Sequence, residues 1–313
     1  MKLIDLNTHP IITRGALGFG VVVLGAIIVG SSYAPFREEV NEIYNSIYLQ
    51  IFVYPTMDTV ADKTVNIAYC HTTSRLQKLD VYTPKRAEKP VPVVLQIHGG
   101  GWTGGDKANA IVNDYGSEIV KNGMALVSVN YRLAPAYTYP AQNQDIDCAL
   151  SYLILHAGRL NINMAKIGLL GDSAGGQLAA MTAFDSPNKK HVKAVVEYYG
   201  TSDLWAQITR KPNKDRNAIA YIGSANNQAL AKKASPLYAD QVGAPPFLLF
   251  HGTDDRIVRY SQSVSFAQKL KQAGVDVTLR TIEQAGHDFS SKSTSVKNSI
   301  KAETVSFFKK YLF

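Results

Sequence analysis

Cysteine, tryptophan and charge are all scarce in this chain. Cys70 and Cys148 are the only cysteines in 313 residues, which excludes a disulfide-dense scaffold. Neither lies in a C-x-x-C or metal-spaced pattern, which excludes a cysteine-built zinc or redox centre. Charged residues make up 19% of the chain, with no low-complexity tract and no internal repeat, so a disordered or solenoid protein is excluded as well. The formal charge of +8 comes from short clusters at Lys189, Lys190 and Lys193, at Arg210 to Arg216, and near the C-terminus. They lack the aromatic interleaving of a nucleic-acid site, so no nucleic-acid partner is expected; they read as solvated surface that would also favour anionic lipid headgroups near an anchor. No Walker lysine followed by Ser or Thr is present, which removes the P-loop nucleotide reading.

What is present is apolar. At 46% hydrophobic residues the chain can bury one large core, and its length leaves room for an appended segment. That segment is "GALGFGVVVLGAIIVG", residues 15–30, which carries no charge and approaches the roughly 20 residues that span a bilayer. Lys2 and Arg14 precede it while Arg37, Glu38 and Glu39 follow, a bias toward an inside N-terminus with the remainder translocated to the periplasmic or extracellular side. Ser32 and Ala34 fit a signal-cleavage site, the secreted alternative, but Pro35 is a poor first residue of a mature chain, so the reading favours an uncleaved anchor over 1–34. Val40, Ile43, Ile47 and Ile51 then fall at helical spacing, an amphipathic linker helix over 35–60. In an exported protein Cys70 and Cys148 are permitted to pair; as two small buried hydrophobes they would serve as well, and both readings stay open.

Over 61–313 the pattern alternates. "TVNIAYC" and "LQKLDVYTP" read as a strand pair, "VPVVLQIH" and "MALVSVN" as buried strands around a helix at 108–122. A helix at 141–157, the strand "KIGLLG", a helix from 174 and the strand "VKAVVEYYG" follow. An insertion at about 200–240, containing Trp205, Tyr221 and Tyr238, is expected to help form a pocket. After it come "PPFLLFHG", a helix at 260–273, "DVTLRTI" and a final helix. This order predicts an α/β class, a mostly parallel sheet with helices on both faces.

Gly171-Asp172-Ser173-Ala174-Gly175 matches G-x-S-x-G where a buried strand gives way to a helix, a turn that would project Ser173 at the carboxyl end of the sheet. A serine hydroxyl needs a base to act as a nucleophile. His287 in "EQAGHDF" follows a strand and precedes the last helix, at that same edge. His9, His71, His98, His156, His191 and His251 have blander readings: before the anchor, in solvent-like contexts, within a helix, or closing a strand. An imidazole needs a carboxylate to fix its tautomer, and "HGTDDRIV" offers Asp254 and Asp255, either of which could instead cap a helix. "HGGGWTGGD", 98–106, supplies glycines whose N–H groups could face a developing oxyanion. Gly99, Gly101 and Gly104 also match G-x-G-x-x-G, but the nearest acid at the spacing a dinucleotide site requires, Glu118, falls within a predicted helix.

"HGGGW", "SVNYRLAP", "GDSAGGQLAA", "ASPLYAD", "HGTDDRIV" and "AGHDF", in this order, resemble the α/β-hydrolase-fold esterases of the hormone-sensitive-lipase-like and feruloyl-esterase-like (BD-FAE-like) group over about 64–313. The resemblance implies Ser173 as nucleophile, His287 as general base and acid, Asp255 as triad acid, and the N–H groups of Gly100, Gly101 and Ala174 as the oxyanion hole. It also implies that His98, Tyr131, Arg132 and Asp172 are structural. Two departures bear on the acyl pocket: Ala136 where many members carry glutamate, and a membrane-like N-terminus in place of their cap. The expectation is a carboxylesterase-type serine hydrolase of small to medium acyl esters with no metal or organic cofactor. An amidase or peptidase on the same three residues, or a non-catalytic membrane-tethered interaction protein, are the alternatives; oligomeric state is not legible.

Overall fold

Runs of Val, Ile, Leu and Phe four to eight residues long, bounded by Gly, Pro and Asn, become the strands of one sheet. The computed structural model describes residues 57–70, 74–85, 87–109, 111–210 and 214–313. Within these, β1 (Ala61–Ala68), β2 (Lys78–Pro84), β3 (Val91–Ile97), β4 (Ala125–Val129), β5 (Ile162–Asp172), β6 (Val192–Tyr198), β7 (Phe247–Gly252) and β8 (Val277–Ile282) form an eight-stranded sheet. Its order is β1-β2-β4-β3-β5-β6-β7-β8. β2 runs antiparallel to both β1 and β4, and every other pairing is parallel, as expected for an α/β-hydrolase sheet.

The period-2 alternation of a strand divides the core between two faces. Val93, Leu95 and Ile97 of β3 lie with Val127 of β4 and Leu169 of β5 on one side, whereas Val94, Leu126 and Leu170 lie on the other. Each face needs a cover. The first is covered by α3 (Ala141–Leu155), α4 (Ala174–Asp185) and α8 (Tyr260–Gln272), which contribute Leu150, Leu178 and Phe266. The second is covered by α2 (Ser117–Lys121) and α9 (Thr294–Leu312), which contribute Ile119 and Phe308, and by Met57 of the single turn α1 (Met57–Val60). The insertion folds into three short helices, α5 (Leu204–Thr209), α6 (Arg216–Ile222) and α7 (Gln228–Lys233).

Two boundaries differ from those read in the sequence. Of the helix expected over 108–122, residues 111–121 are helical among the described residues, with a wide π turn at Val112–Gly116 before α2. β5 begins four residues before "KIGLLG", because Val91 and Pro92 of β3 supply partners for Ile162 and Asn163. Met57–Phe313 form one compact unit. Among the described residues no helix is long and apolar enough to cross a membrane. The run at 15–30 and the linker stretch before Met57 lie outside the described residues.

Cys70, after β1, is disulfide-bonded to Cys148 of α3, with Cα atoms 5.7 Å apart and a sequence separation of 78. The bridge fastens the antiparallel hairpin, which β2 alone joins to the sheet, to the helical layer. Closing so long a loop restricts the unfolded chain, so a Cys70→Ser/Cys148→Ser double variant is expected to lose about 2–4 kcal/mol. Equal urea midpoints with and without the bridge would show that it contributes nothing.

Candidate active site

Only Ser173 separates β5 from α4, and the chain reverses there through φ 53° and ψ −116°, a strained conformation for a residue with a side chain. The surrounding residues enforce it. The Ser173 N–H donates to Tyr198 O at the end of β6 (2.9 Å). A Cβ at Gly175 would collide with Ile97 O, and one at Gly171 with Gly175 O, so glycine at both positions lets α4 start directly against the end of β3. Residues Ala174 to Phe184 of α4 are all buried, which explains a helix built mostly of Ala and Gly with no polar stripe.

At the same edge, His287 lies after β8 and Asp255 after β7. Ser173 Oγ is 2.9 Å from His287 Nε2, and His287 Nδ1 is 2.7 Å from Asp255 Oδ2. A carboxylate only accepts, so His287 Nδ1–H donates to it, Nε2 is left as an acceptor, and the Ser173 hydroxyl donates to Nε2. Asp255 Oδ1 accepts from the N–H groups of Ile257 and Val258 at 2.8 and 2.9 Å. Burial would raise the Asp255 carboxyl, but the hydrogen bonds from His251 and then His287 outweigh it and hold it well below the usual carboxylate range. Asp254 is exposed, its carboxylate accepting from Thr253 Oγ1, so the two aspartates of "HGTDDRIV" are separated by position. The Tyr199 ring lies 4.6 Å from the His287 ring and walls its other side.

The glycine loop abuts the elbow. The Gly99 N–H donates to the Asp172 carboxylate. Gly100 and Gly101 hold φ of 110° and 61°, and the N–H groups of Thr103 and Gly104 both close onto Gly100 O, at 3.2 and 3.1 Å. The Asn217 side chain of α6 packs against Gly101, so the insertion reaches this loop. Trp102 is buried, its Nε1–H donating to Gln177 Oε1 (2.9 Å) while its ring stacks on Tyr221 at 4.6 Å. Tyr221 is therefore core packing rather than pocket wall; Tyr238 is exposed and donates to Asp203 Oδ2. His98 stacks on Tyr131, whose hydroxyl donates to His98 O, and Arg132 pairs with buried Asp145 at 2.7 Å. No group of three or more His, Cys, Asp or Glu among the described residues could hold a metal ion.

The BD-FAE family model matches residues 79–270, which includes the glycine loop, the elbow and Asp255. The chain belongs to the BD-FAE family. It is 31% identical to the esterase LipQ of Mycobacterium tuberculosis over 69% of this chain and 54% of that protein. It is 30% identical to the probable carboxylic ester hydrolase LipM of the same organism over 58% and 45%. The chain thus spans about half the length of these curated relatives. Among solved structures, a bacterial heroin esterase superposes with a TM-score of 0.67 at 24% identity, covering 88% of this chain and 92% of that one. It shares the α/β-hydrolase fold.

Four side chains at this site were not read as part of it in the sequence. His251, read as the end of a strand, is fully buried and hydrogen-bonded to Asp255. Gln207 and Arg210, at the end of α5, donate to the carbonyls of the turn that carries Asp255: Gln207 Nε2 and Arg210 Nη1 each reach Ile257 O at 2.7 Å. Glu197 of β6 is buried against Gly176 and Gly200 under the elbow, with no salt-bridge partner among the described residues. Burial pushes its carboxyl up to about 8, a hydrogen bond from the Gly200 N–H notwithstanding.

The sign of the resulting linkage is set by that rise. Above about 4.5 the unfolded chain ionises this glutamate while the folded chain keeps it protonated until about 8, so the folded state binds more protons across that window. Stability is therefore expected to fall as pH rises from about 5 to 8, with a contribution approaching about 1.4 kcal/mol per pH unit. A Glu197→Gln variant, neutral throughout, should remove that component. Urea midpoints measured against pH for the two proteins check it, and parallel curves would disprove it.

Proposed function

We propose that the chain is a carboxylic-ester hydrolase working through a serine acyl-enzyme, on small to medium acyl esters. The observation that carries this reading is the continuous hydrogen-bonded line from Ser173 Oγ through His287 to Asp255, beside a glycine loop. The esterase names of the curated relatives, LipQ and LipM, support the same chemistry.

In this reaction Ser173 Oγ attacks the ester carbonyl carbon as its proton passes to His287 Nε2, and the carbonyl electron pair moves onto oxygen. The imidazolium formed is stabilised by Asp255, which stays ionised. The N–H groups of Gly100, Gly101 and Ala174 receive the oxyanion, and α4 adds the positive end of its dipole. Collapse breaks the bond to the alkoxide, which leaves as alcohol with the proton from His287. Water then attacks the acyl-enzyme with the same imidazole as base, releasing the acid and Ser173. No step calls for a metal or an organic cofactor.

We assign the run at 15–30 to a membrane anchor that keeps the catalytic domain on the outer side of the membrane; the Cys70–Cys148 disulfide supports an oxidising compartment. Ser173→Ala is expected to lower turnover of p-nitrophenyl esters by at least about 10³-fold. A fluorophosphonate should add once, at Ser173. Wild-type turnover in the variant, or an adduct mapped elsewhere, would overturn the assignment, and a series from acetate to decanoate would size the acyl pocket. Gly101→Ala, which forces a Cβ into φ 61° and against Asn217, is expected to cost about 10²-fold in kcat with a smaller change in KM.

A further inference from the structure

Asp255 carries a second imidazole. His251, at the end of β7 and wholly buried, points Nε2 at Asp255 Oδ2 (3.0 Å), the oxygen that also receives His287 Nδ1–H. Nε2 is also 2.9 Å from Val258 O. Both neighbours of Nε2 are acceptors, so Nε2 carries the proton. The other ring nitrogen settles the tautomer in the same sense: Nδ1 is 2.6 Å from Ser263 Oγ of α8, whose hydroxyl donates to it. A neutral His251 thus has every polar atom satisfied, and Ser263 holds it in the one tautomer that can donate toward Asp255.

The carboxylate is saturated as a result. Oδ1 takes the N–H groups of Ile257 and Val258, and Oδ2 takes those of His287 and His251. Four donors occupy the roughly four lone-pair sites of one carboxylate, leaving none for a proton or a water. A carboxylate sharing its charge with His251 attracts His287 less strongly than one bonded to His287 alone. It is also fixed in rotation, so the ring of His287 is aimed at Ser173.

We propose that His251, locked by Ser263, is a positioning residue that orients Asp255 and tempers its pull on the His287 imidazolium. The proposal rests on the functional reading above. The other groups facing this line are few: Tyr260 sets its ring edge-on to His251 at 5.8 Å, Tyr199 covers His287, and the carboxylates of Asp172 and Asp288 lie near enough to feel the His287 charge. They are unchanged in the variants below.

The experiment is the pH dependence of kcat/KM on a p-nitrophenyl ester, together with the pH dependence of the rate at which a fluorophosphonate labels Ser173, for the full chain. It compares wild type, His251→Ala, His251→Gln and Ser263→Ala. With His251 removed, Asp255 holds the imidazolium more tightly. The acid limb of both profiles is expected to move up by about half to one pH unit, and kcat to fall by about 10- to 100-fold with KM changed less than about threefold. Gln, whose amide can donate to Oδ2, should restore most of both. Ser263→Ala, which frees the tautomer without disturbing the strand, should move the limb in the same direction by less. Should His251→Ala not fold, the Gln and Ser263 variants decide the matter. Folded variants that melt earlier but keep wild-type acid limbs and kcat would overturn the proposal and leave His251 a core residue. Absence of any label on Ser173 in wild type would instead overturn the functional reading, and this proposal with it.

Discussion

The close approach of α4 to the end of β3 is the contact on which the rest of the site depends. It exists because Gly171 and Gly175 have no Cβ to collide with the facing backbone. With α4 held that close, the single residue between strand and helix must take a positive φ, and Ser173 takes it with its hydroxyl free of the helix. The same approach brings the end of β3 beside the elbow, so the glycine loop that continues from Ile97 and His98 cannot lie elsewhere. Strain at Ser173 is held in place by the buried surface of α4 and by the hydrogen bond to Tyr198 O.

Three carboxyl groups are buried around this point, and their partners send them in different directions. Glu197 is pushed up to about 8 by burial. Asp172 is raised to about 6, also by burial, with the Gly99 N–H pulling it back. Burial also acts to raise Asp255, but it faces two imidazoles and two backbone N–H groups and is held low. Burial acts to raise all three carboxyls, and hydrogen-bond donors decide which of them stays ionised. Asp255 is the one on which the proposed chemistry needs a permanent negative charge.

The insertion is tied to the acid rather than to the serine. Gln207 and Arg210 hold the carbonyls of the turn at Arg256 and Ile257, and Gln262 of α8 accepts from the N–H groups of Ser202 and Asp203 while donating to Gln207. Through Asn217 the insertion also touches the glycine loop. Residues 200–240 therefore brace two parts of the site that are distant in sequence, while Tyr221 packs inward against Trp102.

The alternation of apolar runs with helical segments was enough, by itself, to determine an α/β sheet, because burial on two faces demands continuous Val, Ile and Leu in the central strands. Ser173 and His287 were legible as candidates for a similar reason: a nucleophile and its base must sit where strands end, and glycines mark those turns. The edge strand β1 was less legible, since Asp62 and Lys63 face water and break its apolar pattern. Local pattern was silent where distant segments meet. Neither spacing nor composition says that Cys70 reaches Cys148, that Asp255 rather than Asp254 turns inward, that His251 shares an oxygen with His287, or that Glu197 is buried beneath the elbow. Those relations are decided by how the hairpin meets α3 and how β6, β7, β8 and α8 pack against one another, because contacts between separate segments depend on tertiary placement rather than local pattern.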